Sequence, residues 1–207
     1  FGLMGSGVWG RKSSSEKGGA TPVHPSAWSK EYISACVPQT VDNGTNNLSL
    51  SAVYQSSIHS ASCEIYKATT SISGEYFLFE NRSSGGYDEG LKYLIKDNMT
   101  DYTIGSSYTG GMAIYHIKDI LSSCWESGSN NCETQSPKLV DLEEANFGDL
   151  DNNSSIGRTT HLFYNGNSSS FDNSTTPNSK LYDNSSSGIS VTSISAAKDN
   201  MTLTISK

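Results

Sequence analysis

Four histidines, His24, His59, His116 and His161, could bind metal or move protons, and their spacing limits which. Zinc needs three or four converging ligands, and none of these histidines forms an i, i+4 pair or an H-x-E step. Read alone, they predict no zinc centre. The carboxylates are denser. Asp141, Glu143, Glu144, Asp149 and Asp151 fall across one strand end and the loop after it, where carboxylates and carbonyls together could offer calcium its roughly six to eight oxygens. Their spacing does not fit an EF-hand loop, and the competing reading is a solvated acidic edge that discourages strand-to-strand aggregation. Glu75, Glu80 and Asp88 could act as acid–base carboxylates, but nothing in the sequence sets a substrate between them. No G-x-S-x-G elbow supplies a serine nucleophile.

The cysteines are Cys36, Cys63, Cys124 and Cys132, with no C-x-x-C among them, so redox, zinc-ribbon and haem-attachment signatures are missing. An even number in a polar chain predicts disulfides and an oxidising compartment. Three pairings exist in principle; the one expected is Cys36 with Cys63 and Cys124 with Cys132, the latter closing the patternless loop WESGSNN. N-x-[ST] sequons at Asn43, Asn47, Asn81, Asn98, Asn152, Asn153, Asn167, Asn173, Asn184 and Asn200 point to a glycosylated surface. Loops rich in Asn and Ser also generate such triplets unaided.

The elements that must position these residues are mostly strands. Of 207 residues 34% are hydrophobic and 17% charged, so Ser, Thr, Asn and Gly supply the polarity, as in extracellular β proteins. Aromatic residues at 10% provide a packed core. The net charge of −7 comes without a basic stripe, which argues against nucleic acid as a partner, and no apolar run is long enough for a membrane span. Pro25 is expected to open a short helix that ends near Cys36 and carries Trp28, Tyr32 and Ile33 on its apolar side. Period-two alternation then predicts half-buried strands at 48–54, 63–69, 74–81, 112–118, 139–144, 189–195 and 201–206, the last two as a hairpin. The expected fold is mainly β: a sandwich-like antiparallel body with one short N-terminal helix and long polar loops. Residues 146–187 read as a surface excursion pinned by Leu162, Phe163, Tyr164, Phe171, Leu181 and Tyr182.

Several segments occur in an order that resembles a known family. Leu3-Met4-Gly5-Ser6-Gly7 is followed by HPSAWSKEY (24–32), GEYFLFENR (74–82), GYDEGL (86–91), GGMAIYHIKD (110–119) and LVDLEEA (139–145). This series resembles the C-terminal part of secreted zinc metallopeptidases of the immune inhibitor A type. The resemblance implies a turn carrying Met4 beneath a zinc site, with the H-E-x-x-H helix before it; these residues do not contain that helix. It also implies a division into 1–40, a remnant of the catalytic subdomain, and 41–207, a β-rich body. His116 and Tyr115 would touch chemistry only beside a zinc helix supplied by another chain.

The expected function is a non-catalytic extracellular or cell-surface glycoprotein that self-associates, as a filament subunit. The alternative is a processed chain or fragment of an active zinc endopeptidase. A weaker third reading, a carbohydrate- or cell-surface-binding β module, rests on exposed Tyr and Trp. Calcium is the one cofactor the residues suggest, and zinc belongs only to a complete peptidase. In the peptidases the turn is covered, so Phe1, Leu3, Met4, Val8 and Trp9 are the residues expected to mediate assembly.

Overall fold

Runs of Ile, Val, Phe, Tyr and Thr form two sheets, because branched and aromatic side chains pack well on a pleated surface. The computed structural model describes residues 6–55, 63–93, 108–119, 136–146, 148, 150 and 157–207. Phe1, Leu3, Met4, His59, Asn98, Cys124, Cys132, Asp149, Asp151, Asn152 and Asn153 lie outside the described residues. The larger sheet contains β1 (Gln39–Thr40), β3 (Ile65–Thr69), β4 (Glu75–Asn81), β5 (Met112–Lys118) and β6 (Val140–Leu142), in the order β1-β3-β4-β5-β6. Its pairings are antiparallel except β1 with β3. The smaller sheet orders β2 (Thr45–Ser51), β8 (Asn200–Ser206) and β7 (Ser190–Thr192) as β2-β8-β7, all antiparallel. The chain is therefore mainly β, with a sandwich-like body and, among the described residues, one short α-helix, α1 (Ala27–Tyr32).

Alternation along β4 and β5 divides their side chains between two cores. Phe77, Phe79, Met112 and Ile114 face the smaller sheet and pack with Leu50, Val191, Leu203 and Ile205. Tyr76, Leu78, Tyr115 and Ile117 face the other way, beneath Val23, Ala27 and Leu91. Each such side chain contributes about 1.5–3 kcal/mol on burial. Both central strands are consequently buried on both faces, where alternation had predicted half-buried ones. The sequence cannot distinguish a water-facing side from one covered by a helix when both carry aromatic residues.

Other boundaries moved for local reasons. Ser26 caps α1, accepting the Ser29 N–H on its side chain, so Pro25 stands outside the helix rather than at its first position. The helix ends at Tyr32, and Tyr32 and Ile33 face solvent instead of the core. Strand β2 starts earlier than expected and stops at Ser51, because Ala52 bridges to Asn81 and Val53–Gln55 turn as a 3₁₀ helix. Strand β7 ends before Ser193, whose φ of 54° is left-handed. The segment after residue 157 is more than a surface excursion. Leu162, Phe163, Phe171 and Leu181 are buried, and isolated bridges join Phe163 to Met112 and Phe171 to Val191.

The N-terminal segment closes on itself against the body. Thr21 N–H and Gly19 N–H both donate to Gly10 O, and Val23 N–H donates to Gly7 O. A Cβ at Gly10 would lie 2.2 Å from Thr21 O, and one at Gly90 2.0 Å from the same atom, so glycine is required at both. Cys36 and Cys63 form a disulfide that ties the end of this region to the start of β3. Among the described residues no helix is long and apolar enough to cross a membrane.

Candidate functional site

Two buried ionic clusters lie on opposite faces of the β4–β5 pair, and the strand pleat sorts their members. Glu80 and Tyr115 point to the face that carries α1. Glu80 Oε1 accepts from Tyr115 Oη at 2.8 Å and Arg82 Nη1 at 3.2 Å, while Oε2 accepts from Lys30 Nζ at 3.2 Å. Arg82 also donates to Pro25 O, to His24 O and, at 2.8 Å, to Asp88 Oδ1, which in turn accepts the His24 N–H. Tyr108 Oη donates to Arg82 O. Two cations and two anions thus fix the HPSAWSK segment to the sheet, with Glu80, Arg82 and Asp88 fully buried.

The electrostatics follow from this geometry. Burial would raise the Glu80 carboxyl, but Lys30 and Arg82 outweigh it and hold the group at about 2. Burial raises Asp88 even with Arg82 beside it, and burial lowers Lys30 despite Glu80. His24 is held at about 4, by burial and then by the nearby Lys30 and Arg82 charges. A general acid or base at neutral pH works best with a pKa near the pH. Neither Glu80 nor His24 meets that condition.

The second cluster centres on His116, which faces the core between the sheets. Its Nε2 lies 2.9 Å from Glu75 Oε1 and its Nδ1 3.5 Å from Glu143 Oε1. Phe77 stacks on one side of the ring and Tyr182 on the other, with centroids 4.3 and 4.2 Å away. Glu75 also pairs with Lys118 and accepts the Tyr182 N–H. Burial would raise Glu75, but Lys118, the Tyr182 N–H and His116 bring it below the ordinary range. Burial raises Glu143, against the pull of His116. A raised carboxyl beside an imidazole resembles acid–base machinery. Here both ring faces and both ring nitrogens of His116 already have partners within the chain.

The remaining sequence-derived candidates are dispersed. His161 is buried and accepts the Arg158 N–H on Nδ1, far along the chain from the other clusters. Asp141 pairs with Lys138, Glu143 with His116, and Glu144 accepts the Leu150 N–H. Among the described residues no group of three His, Cys, Asp or Glu side chains is placed to hold a metal. Asn43, Asn47, Asn173, Asn184 and Asn200 are exposed, as glycan acceptors must be. Asn167 is half-buried and donates to Thr160 O and Leu162 O. Asn81 is a correction: it is fully buried, and its Nδ2 donates to the carbonyls of Leu50, Lys198 and Asp199, leaving no room for a glycan.

Compared with known proteins, the chain matches no family model, no curated protein and no solved structure. The metallopeptidase resemblance therefore stands on the segments quoted for it. What the geometry adds is a set of exposed apolar side chains, most of them in the N-terminal part of the chain. Val8 is 48% exposed, Trp9 66% and Tyr87 63%, with Tyr32, Ile33 and Val37 also open to solvent. Sequence reasoning named Val8 and Trp9. It missed Tyr87, which meets His24 edge-on at 5.6 Å, and it missed Arg82 as the hub of the first cluster. The available signal was Glu80 itself, a charge on an otherwise aromatic strand that required a buried partner.

Proposed function

We propose that this chain is a non-catalytic extracellular β body that works by associating with further copies of itself, and that it derives from the C-terminal part of a metallopeptidase. The observation that carries the reading is the contrast between its polar interior and its N-terminal surface. Glu75, Glu80, Arg82, Asp88 and His116, the side chains best suited to chemistry, are buried and bonded to one another or to backbone. Trp9, Val8 and Tyr87 are large apolar groups left in water. Exposed aromatic groups of this kind mark association surfaces when they cluster. The Cys36–Cys63 disulfide and the exposed sequons fit an oxidising, extracellular setting.

A second reading has one observation in its favour. The HPSAWSKEY segment that carries the resemblance is the segment Arg82 and Glu80 lock to the sheet, as a platform beneath a catalytic segment would be. On that reading the chain is part of a zinc endopeptidase, and Val8 and Trp9 face the zinc helix. Native mass spectrometry with metal analysis separates the two. Self-association predicts multiples of the chain, no stoichiometric zinc and no peptide cleavage. A co-purifying peptide with an H-E-x-x-H helix, zinc and chelator-sensitive proteolysis would establish the second reading instead.

A further inference from the structure

Among the described residues strand β2 is an edge of the smaller sheet and pairs in it with β8 alone. Its ladder fixes which backbone groups face outward. Gly44 and Lys207 exchange N–H···O bonds, and Ala52 N–H donates to Asp199 O. With the register running from Thr45↔Ser206 to Ser51↔Asn200, the even-numbered residues of β2 bond to β8. Thr45, Asn47 and Ser49 therefore turn their N–H and C=O groups away from the sheet. Ser51 lies next to the Ala52↔Asn81 bridge, which closes that end. Among the described residues the bond to these outward groups is Tyr66 Oη to Ser49 O, exposed and 3.1 Å long.

Natural edge strands are commonly guarded by lysine, proline or a bulge. The sequence of β2, TNNLSLS, contains no charge and no proline, and its ladder with β8 runs without a bulge. We propose that this edge pairs antiparallel with the same edge of a second copy, about a two-fold axis at Asn47. The proposal deepens the self-association reading by naming a second surface for it. In this register Thr45 faces the partner's Ser49, Asn47 faces the partner's Asn47, and outward groups meet outward groups, so each can exchange N–H···O bonds. The partner's Thr45 N–H replaces the Tyr66 hydroxyl at Ser49 O.

A second copy fits better than a foreign strand because the strand is complementary to itself. The chain carries −7 overall, so two copies repel, yet no charged side chain of β2 meets its equivalent. Leu48 and its copy lie diagonally across the pair on the inner face and extend the core to which Leu48 already belongs. So short a contact buries less than the roughly 1,000 Å² of a stable interface, so it forms with rising concentration. A two-fold pair closes on itself. It extends into a filament only in combination with the apolar N-terminal contact. A glycan on Asn47 would stand on the axis and block the pairing.

Amide hydrogen exchange by NMR on the unglycosylated chain, across a concentration series, tests this directly. The Thr45, Asn47 and Ser49 amides should slow about fivefold or more as concentration rises, while Asn46, Leu48 and Leu50, already bonded to β8, stay constant. Asn47→Lys sets two cations directly across the axis and should abolish the change. Tyr66→Phe frees Ser49 O and should shift it to lower concentration. Outward amides that stay fast while the chain associates would overturn the edge pairing but leave self-association standing. Outward amides already protected in the monomer would overturn it by showing the edge covered within one chain. A monomer at every concentration would remove both readings, and retention of edge protection in Trp9→Ser would separate the two surfaces.

Discussion

Replacing Glu80 with glutamine preserves the side chain's shape and removes the charge that Lys30, Arg82 and Tyr115 all face. The carboxyl is held at about 2 against an ordinary value of 4.5. That difference corresponds to about 3 kcal/mol in favour of the ionised form, at about 1.4 kcal/mol per pH unit. Glu80 is fully buried, so solvent screening takes little from this figure. It also falls in the range of about 3–5 kcal/mol for removing one partner of a buried ion pair. Because the folded-state value lies below the unfolded one, the contribution is complete above about pH 4.5 and is lost as pH falls toward 2. Denaturant titrations of the wild type and Glu80→Gln should differ by about 3 kcal/mol at pH 7, with a melting temperature roughly 6–12 °C lower. The gap should shrink as pH falls below 4.5 and close only below about pH 2, where Glu80 is protonated in the fold as well and is nearly a glutamine. A gap under about 1 kcal/mol at neutral pH, or one that is constant with pH, would refute the reasoning.

His24 is held at about 4 in the fold, so its share of stability is present above about 6.5 and lost as pH falls from 6.5 to 4. It is partly exposed, which reduces the effect to roughly 1 kcal/mol; His24→Gln should flatten the pH profile in that window and leave the Glu80 window below it intact. Converting Cys36 and Cys63 together to serine opens a loop of sequence separation 27 and should cost about 3–4 kcal/mol by thermal or chemical denaturation. Phe171 meets Phe77 and Phe163 edge-on, each at 5.6 Å, so Phe171→Ala should cost about 3–5 kcal/mol in the same assays. A loss under about 1 kcal/mol would return residues 157–189 to the status of a surface loop.

The strands were legible because alternation is a local signal. Met112–Lys118 and Glu75–Asn81 stand within a residue of where period two placed them. Two kinds of information were not local. The parallel pairing of Gln39–Thr40 with β3 spans only two residues and has no pattern to read. The burial of Tyr76, Leu78 and Tyr115 depends on a helix that arrives from residues 27–32, so their strands looked half-exposed. The site followed the same division. Glu80 and His116 could be picked out as polar residues among apolar neighbours, but their partners are distant in sequence: Lys30 for Glu80, Glu143 and Tyr182 for His116. Only the fold brings them together. Val8 and Trp9 were legible as apolar residues in a glycine-rich stretch, whereas the exposure of Tyr87 depends on a turn that no period announces.

Sedimentation velocity of the oxidised chain across micromolar concentrations tests the central claim most directly. Self-association predicts a weight-average mass that rises above the monomer with concentration and falls back toward it in Val8→Ser and Trp9→Ser, whose exposed positions leave the core untouched. A monomer mass at every concentration, unchanged by either substitution, would contradict it.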